Sequence, residues 1–158
     1  MSAFSILFVC SGNTCRSPMA EAIARVRIDR RGLDLEAGSA GTSAWDGAPA
    51  SDGALLVGLE RHLDLSGHRS RLLTATLVRP FDLVLCMGAS HVERAKELGA
   101  GARVHLLTAY ASNGASTGEI SDPFGGDLNL YRAALDEIER AVERVLDRVQ
   151  AERSPGHP

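Results

Sequence analysis

Long apolar runs are missing from this 158-residue chain. The apolar stretch after Met1 is far too short to span a bilayer, and no basic segment precedes it as a secretory signal requires; a cytoplasmic location is therefore expected. Cysteine is scarce. Three of them, an odd number, do not make a disulfide framework, and reducing conditions would leave a thiol free for chemistry. Excess positive charge is also lacking: the formal net charge of −3 argues against general binding of nucleic acid or of an anionic membrane. Arg16, Arg69 and Arg71 can still make one face locally positive. Internal repeats and low-complexity tracts are missing, which excludes solenoids and biased linkers. No Gly-x4-Gly-Lys-Ser/Thr pattern occurs, which excludes a nucleotide-binding P-loop. What remains is ordinary globular composition, with 44% hydrophobic residues, enough for a sizeable core in one domain. That domain is assigned to residues 1–150, with 151–158 as a frayed tail.

Strand-like and helix-like segments alternate along the chain. Phe4 to Val9 reads as a short buried strand, Pro18 to Arg30 as a helix and Leu33 to Ala37 as a second strand, followed by a Gly/Ala/Ser-rich loop. A helix is expected from Ser51 to His62, an apolar strand from Phe81 to Met87, a helix from Ser90 to Leu98 and a short strand from Val104 to Leu107. The last helix is expected to start near Leu130. Its apolar positions Leu135, Ile138, Val142, Val145 and Val149 recur at steps of three and four, so one stripe faces the core. Such alternation implies a parallel sheet covered by helices on both sides, with a binding crevice at the C-terminal ends of the strands.

Cys10 falls at that crevice. The segment Cys10-Ser11-Gly12-Asn13-Thr14-Cys15-Arg16-Ser17-Pro18 joins the first strand to the first helix, with Ser17 read as its N-cap and Pro18 as its first position. Successive backbone N–H groups at a helix N-terminus form a concave anion site, and Gly12 and Asn13 tolerate the positive φ that such a loop needs. Arg16 adds a two-pronged grip on phosphate oxygens. The same field favours the thiolate of Cys10, so the loop reads as a phosphate trap with a nucleophile inside it. An isolated cysteine at a strand end would more simply be core; the neighbours Gly12, Asn13 and Arg16 decide otherwise. Asp122-Pro123 lies in a long polar stretch between Thr108 and Leu130, which is either functional or disordered. A carboxylic acid held there over the phosphate could protonate a leaving group. Asp127 and Glu119, which flank it, read as solvated loop charges, and Cys86, in an apolar strand, as inert core.

The segment from Cys10 to Pro18 resembles the low-molecular-weight protein tyrosine phosphatase family, whose motif is Cys-x-Gly-Asn-x-Cys-Arg-Ser-Pro. Asp122-Pro123-Phe124-Gly125-Gly126 is similar to the family's Asp-Pro-aromatic loop, and Gly67-His68-Arg69-Ser70-Arg71 to the segment whose histidine braces the phosphate loop. The resemblance implies a three-layer α/β/α sandwich around a four-stranded parallel sheet of order 2-1-3-4, flavodoxin-like or phosphotyrosine phosphatase I-like. It implies a cysteine-dependent hydrolase with Cys10 as nucleophile, Arg16 holding the phosphoryl group and Asp122 as general acid, needing no cofactor and no metal. Ser11, Gly12, Thr14 and Cys15 complete the phosphate loop, Asn13 locks its backbone, His68 hydrogen-bonds it, and Ser17 donates to the cysteine sulfur. Cys15 either forms a reversible disulfide with Cys10, as in the family, or packs beneath the loop. Phosphorylated proteins are the implied partners, with neither nucleic acid nor membrane, and the chain is expected as a monomer or weak homodimer.

Substrate choice turns on the pocket residues Thr14, Trp45 and Phe124. Thr14 and Gly125 resemble the protein arginine phosphatase branch, a hydroxyl at residue 14 being able to hydrogen-bond a guanidinium. Trp45 dissents: it matches an aromatic that lines the pocket of tyrosine-type enzymes, although it could equally serve loop packing. The reading leans to phosphoarginine, with phosphotyrosine as the alternative. An arsenate reductase would use a similar loop but needs a relay of cysteines, and Glu93 stands where a partner for Cys86 would be. A phosphocysteine carrier would have no use for Arg16 together with Asp122, while a binding module would keep phosphate affinity without turnover.

Overall fold

The computed structural model describes residues 3–153. Its elements are β1 (Phe4–Cys10), α1 (Arg16–Arg31), β2 (Leu35–Gly41), α2 (Asp52–Glu60), α3 (Ala75–Val78), β3 (Leu83–Cys86), α4 (Ala89–Glu97), a 3-10 turn (Gly101–Arg103), β4 (Val104–Leu106), α5 (Leu107–Ala111) and α6 (Leu128–Arg153). The strands form one parallel four-stranded sheet in the order β2-β1-β3-β4, as the family resemblance implies.

Period-two alternation in β1 explains the three layers. Ile6 and Phe8 point into a core built with Met19 and Ile23 of α1 and Leu135, Ile138 and Val142 of α6. Leu7 and Val9 point the other way, against Val78, Val84, Ala95 and Val104. β1 lies between β2 and β3 with Ile6 to Cys10 buried, so its C-terminal end is held on both sides. The predicted stripe of α6 is buried throughout, and its polar side pairs with α1, as in Arg31 Nη1 to Asp147 Oδ1 at 2.9 Å.

Several boundaries differ from the sequence expectation. β2 runs to Gly41 rather than ending at Ala37, through the stretch read as a loop, because every residue of it pairs with β1 up to Cys10 opposite Gly41. Small residues there are a packing requirement. A Cβ on Gly41 would lie 2.4 Å from the Ser11 carbonyl oxygen and 2.9 Å from the Asn13 nitrogen. α1 starts at Arg16 with Cys15 as its N-cap, so Ser17 and Pro18 lie within the first turn rather than at its boundary. The Ser17 hydroxyl is used in the site instead. β3 is shorter than predicted, because Phe81 and Asp82 lie in the approach to the strand, where the Asp82 carboxylate accepts the Ser5 amide at 2.8 Å. α3 and α5 are too short to carry a periodic signal. α6 begins at Leu128, capped by Asp127, whose Oδ1 accepts the Leu130 amide at 3.1 Å; Asp127 is exposed, as expected of a solvated charge, and also serves as a helix cap. The helix continues through Ala151 to Arg153, with Arg148 bonded to Glu152 at 2.9 Å, so the fraying expected from 151 does not begin there. Residues 154–158 of that expected tail lie outside the described residues.

Candidate active site

The loop between β1 and α1 is held from outside by its carbonyl groups. Cys10 O accepts from Thr42 N at 3.0 Å, Ser11 O from Ser43 N at 2.9 Å and Thr14 O from Ser51 N at 2.9 Å. His68 Nε2 donates to Asn13 O at 2.7 Å. Because each trans peptide points its N–H opposite its C=O, drawing the carbonyls outward turns the amides of Ser11, Gly12, Thr14 and Cys15 inward. The result is a bowl of donors at the N-terminus of the sixteen-residue helix α1.

Asn13 is the keystone of this arrangement. It is fully buried and left-handed, with φ 56°. Its Oδ1 accepts the Arg71 amide at 2.8 Å, while Nδ2 donates to Ser17 Oγ at 2.8 Å and to Ser39 Oγ at 2.9 Å. Ser39 in turn donates to Glu21 at 2.5 Å. Ser39, Glu21 and the Arg71 backbone are supports that sequence reasoning missed; a serine in a strand read as a loop gives no signal.

Cys10 is buried, its sulfur 2.9 Å from Ser17 Oγ and 3.3 Å from the Asn13 amide. Arg16 is also buried. Its Nη1 donates to the Ile120 carbonyl at 2.9 Å and its Nη2 stands 3.5 Å from Asp122 Oδ2. Its Nε has no hydrogen-bond partner among the described residues. A buried donor of this kind is costly unless something accepts from it. Asp122 is half-exposed on a short turn in which its Oδ1 accepts the Phe124 amide at 3.1 Å. A chain separation of more than 100 residues thus closes into one site, a cleft of about 280 Å³ with Cys10, Thr14, Arg16 and Asp122 on its walls. Trp45 and Phe124, 85% and 71% exposed, stand at its mouth.

Of the other two cysteines, Cys15 also lines the cleft, while Cys86 lies in the buried strand β3. Cys15 Sγ lies 3.2 Å from Ser51 Oγ and 3.4 Å from Tyr131 OH, packed between the loop, α2 and α6. Burial, with the nearby Cys10 adding to it, pushes the Cys86 thiol up to about 12. Glu119, read as a solvated charge, accepts the Ala89 amide at 2.8 Å and so caps α4. A larger cleft of about 650 Å³ backs the loop beyond His68, but no cysteine lines it. Among the described residues no group of three His, Cys, Asp or Glu is placed to hold a metal ion, and no helix is long and apolar enough to cross a membrane.

A family model for low molecular weight phosphotyrosine protein phosphatase matches residues 5–155. The chain belongs to this family. It is 37% identical over 150 residues to the protein-arginine-phosphatase of Bacillus subtilis, covering 94% of this chain and 98% of that protein. It is 32% identical over 155 residues to the low molecular weight protein-tyrosine-phosphatase of Streptomyces coelicolor, covering 93% and 94% respectively. A solved structure of YwlE arginine phosphatase, a cysteine-to-serine variant with a phosphorylated active-site serine, aligns with a TM-score of 0.89 at 36% identity. That alignment covers 95% of this chain and 98% of the other.

Proposed function

We propose that this phosphatase hydrolyses phosphoarginine in proteins through a phosphocysteine on Cys10. The observation that carries the catalytic part is the meeting of a thiol, an underused guanidinium and a carboxylate in one cleft. In the first displacement Cys10 Sγ attacks phosphorus in line, forming an S–P bond as the bond to the leaving nitrogen breaks. Asp122 gives its proton to that nitrogen. In the second, water attacks the phosphocysteine, Asp122 takes the water's proton, and the S–P bond breaks to return the thiolate and release phosphate. The bowl amides and the Arg16 guanidinium hold the three equatorial oxygens through both transition states. An arriving phosphoryl group takes the place of the Asp122 carboxylate at Arg16, leaving that carboxyl beside the leaving atom.

Two features support phosphoarginine. Thr14 puts a hydroxyl on the cleft wall, able to accept from a guanidinium N–H, and the chain is more similar to an enzyme named for phosphoarginine than to one named for phosphotyrosine. Exposed Trp45 favours the second reading, phosphotyrosine, by offering an aromatic face at the mouth. Hydrolysis of matched phosphoarginine and phosphotyrosine peptides by the native chain and by Thr14→Ile separates the two. The native enzyme is expected to prefer phosphoarginine, and Thr14→Ile to reduce that preference by about tenfold, the value of one hydrogen bond to a charged group. A strong native preference for phosphotyrosine overturns the assignment.

Asp122→Asn tests the acid. Without a proton to deliver, kcat for substrates with poor leaving groups should fall by roughly 10² to 10⁴. Activated aryl phosphates should be much less affected, and equal losses on both would remove Asp122 from the role.

A further inference from the structure

His91 is a buried polar side chain that the reaction scheme leaves unused, although it touches the phosphate loop. It sits in the first turn of α4, and its two ring nitrogens have different partners. Nδ1 lies 3.0 Å from the Gly88 amide. That amide can only donate, so Nδ1 is the accepting nitrogen and the neutral ring carries its proton on Nε2. Nε2 lies 2.8 Å from Ser11 Oγ. The ring therefore donates to the serine oxygen. Burial, with Arg16 nearby, lowers the proton affinity of the imidazole and keeps this neutral form in place.

A hydroxyl has one proton and two acceptor positions. With one acceptor position filled by His91, the Ser11 proton is left for another partner, and Ser11 lines the cleft beside Cys10 and Arg16. We propose that His91 is a positioning residue: by donating to Ser11 Oγ it turns the Ser11 hydroxyl into a donor for a phosphoryl oxygen, adding a side-chain contact to the backbone bowl. This rests on the reading of the bowl as the phosphoryl site, and it holds for either phosphorylated residue.

The two nitrogens can be replaced separately. His91→Asn keeps an acceptor at the Nδ1 position for the Gly88 amide and removes the donor to Ser11. His91→Gln keeps a donor at the Nε2 position and removes the cap. The readout is competitive inhibition by inorganic phosphate of para-nitrophenyl phosphate hydrolysis, with thermal melting of each variant as a check on folding. Ser11→Ala and His91→Asn are each expected to weaken phosphate inhibition by about tenfold. The double variant should be no weaker than Ser11→Ala alone, and His91→Gln should recover most of what His91→Asn loses. Native-like inhibition in His91→Asn, multiplied losses in the double variant, or a loss in His91→Gln equal to that in His91→Asn would each overturn the role, the last by making His91 only a helix cap. Failure of the bowl itself shows differently, as a native enzyme insensitive to phosphate.

Discussion

Cys10→Ser is expected to lower turnover by on the order of 10⁴- to 10⁶-fold, the scale on which enzymes lose rate when their nucleophile is removed. Affinity for inorganic phosphate should stay within about threefold of native, because binding depends on groups the substitution leaves in place. The amides are turned inward by carbonyl contacts to Thr42, Ser43, Ser51 and His68, and Arg16 is anchored on Ile120, all without the sulfur. A serine oxygen can still meet Ser17 Oγ and the Asn13 amide, so the loop has no reason to rearrange. What is lost is the polarisable sulfur nucleophile, which a serine hydroxyl does not replace. Steady-state rates and phosphate binding by calorimetry give both numbers. Retained hydrolysis would remove Cys10 from the reaction, and lost binding would mean that the sulfur, rather than the peptide bowl, holds the anion.

Asn13→Ala should have the largest effect on stability of any single change in the loop, about 3–5 kcal/mol by denaturant unfolding. Three side-chain hydrogen bonds disappear, and the Arg71 amide and the Ser39 hydroxyl lose buried partners. Alanine must also hold a φ of 56°, a region that asparagine tolerates better. Activity should fall by about 10²-fold even where the protein stays folded, because the amides no longer converge on one point. Asn13→Asp should not rescue it: Oδ1 still suits the Arg71 amide, but the donors to Ser17 and Ser39 are gone and a charge is buried in their place. A loss below about 1 kcal/mol would show that the loop is held by its carbonyl contacts alone.

The segment from Cys10 to Pro18 stands out in the sequence as a candidate site because its chemistry resides in side-chain types at fixed spacing. Cys10, Asn13 and Arg16 can be read from the chain, whereas Asp122, far downstream in what alone reads as a turn, stands out only beside the Cys10 loop and through the family's Asp-Pro-aromatic motif. The entrance to α1 was misread for a physical reason. Serine and proline usually mark a helix start, yet here the loop enters the helix at Arg16 and frees Ser17 to serve Asn13 and Cys10. β2 was cut short because glycine, alanine and serine have low strand propensity, whereas the strand exists through pairing with β1 and needs small residues for clearance. The anchor of Arg16 could not be read at all, since it is a backbone carbonyl that every residue possesses. His91 and Tyr131 were missed for a related reason: each meets the loop only through tertiary packing, from α4 and α6.

The covalent step is the claim on which the other assignments depend. Rapid acid quench of the native enzyme during turnover, followed by digestion and mass spectrometry, tests it most directly. A single phosphoryl group on the sulfur of Cys10, formed before phosphate appears in solution and lost at the rate of steady-state turnover, is the predicted result. Release of phosphate with no phosphoryl group ever found on the protein, or one found on a residue other than Cys10, would contradict it.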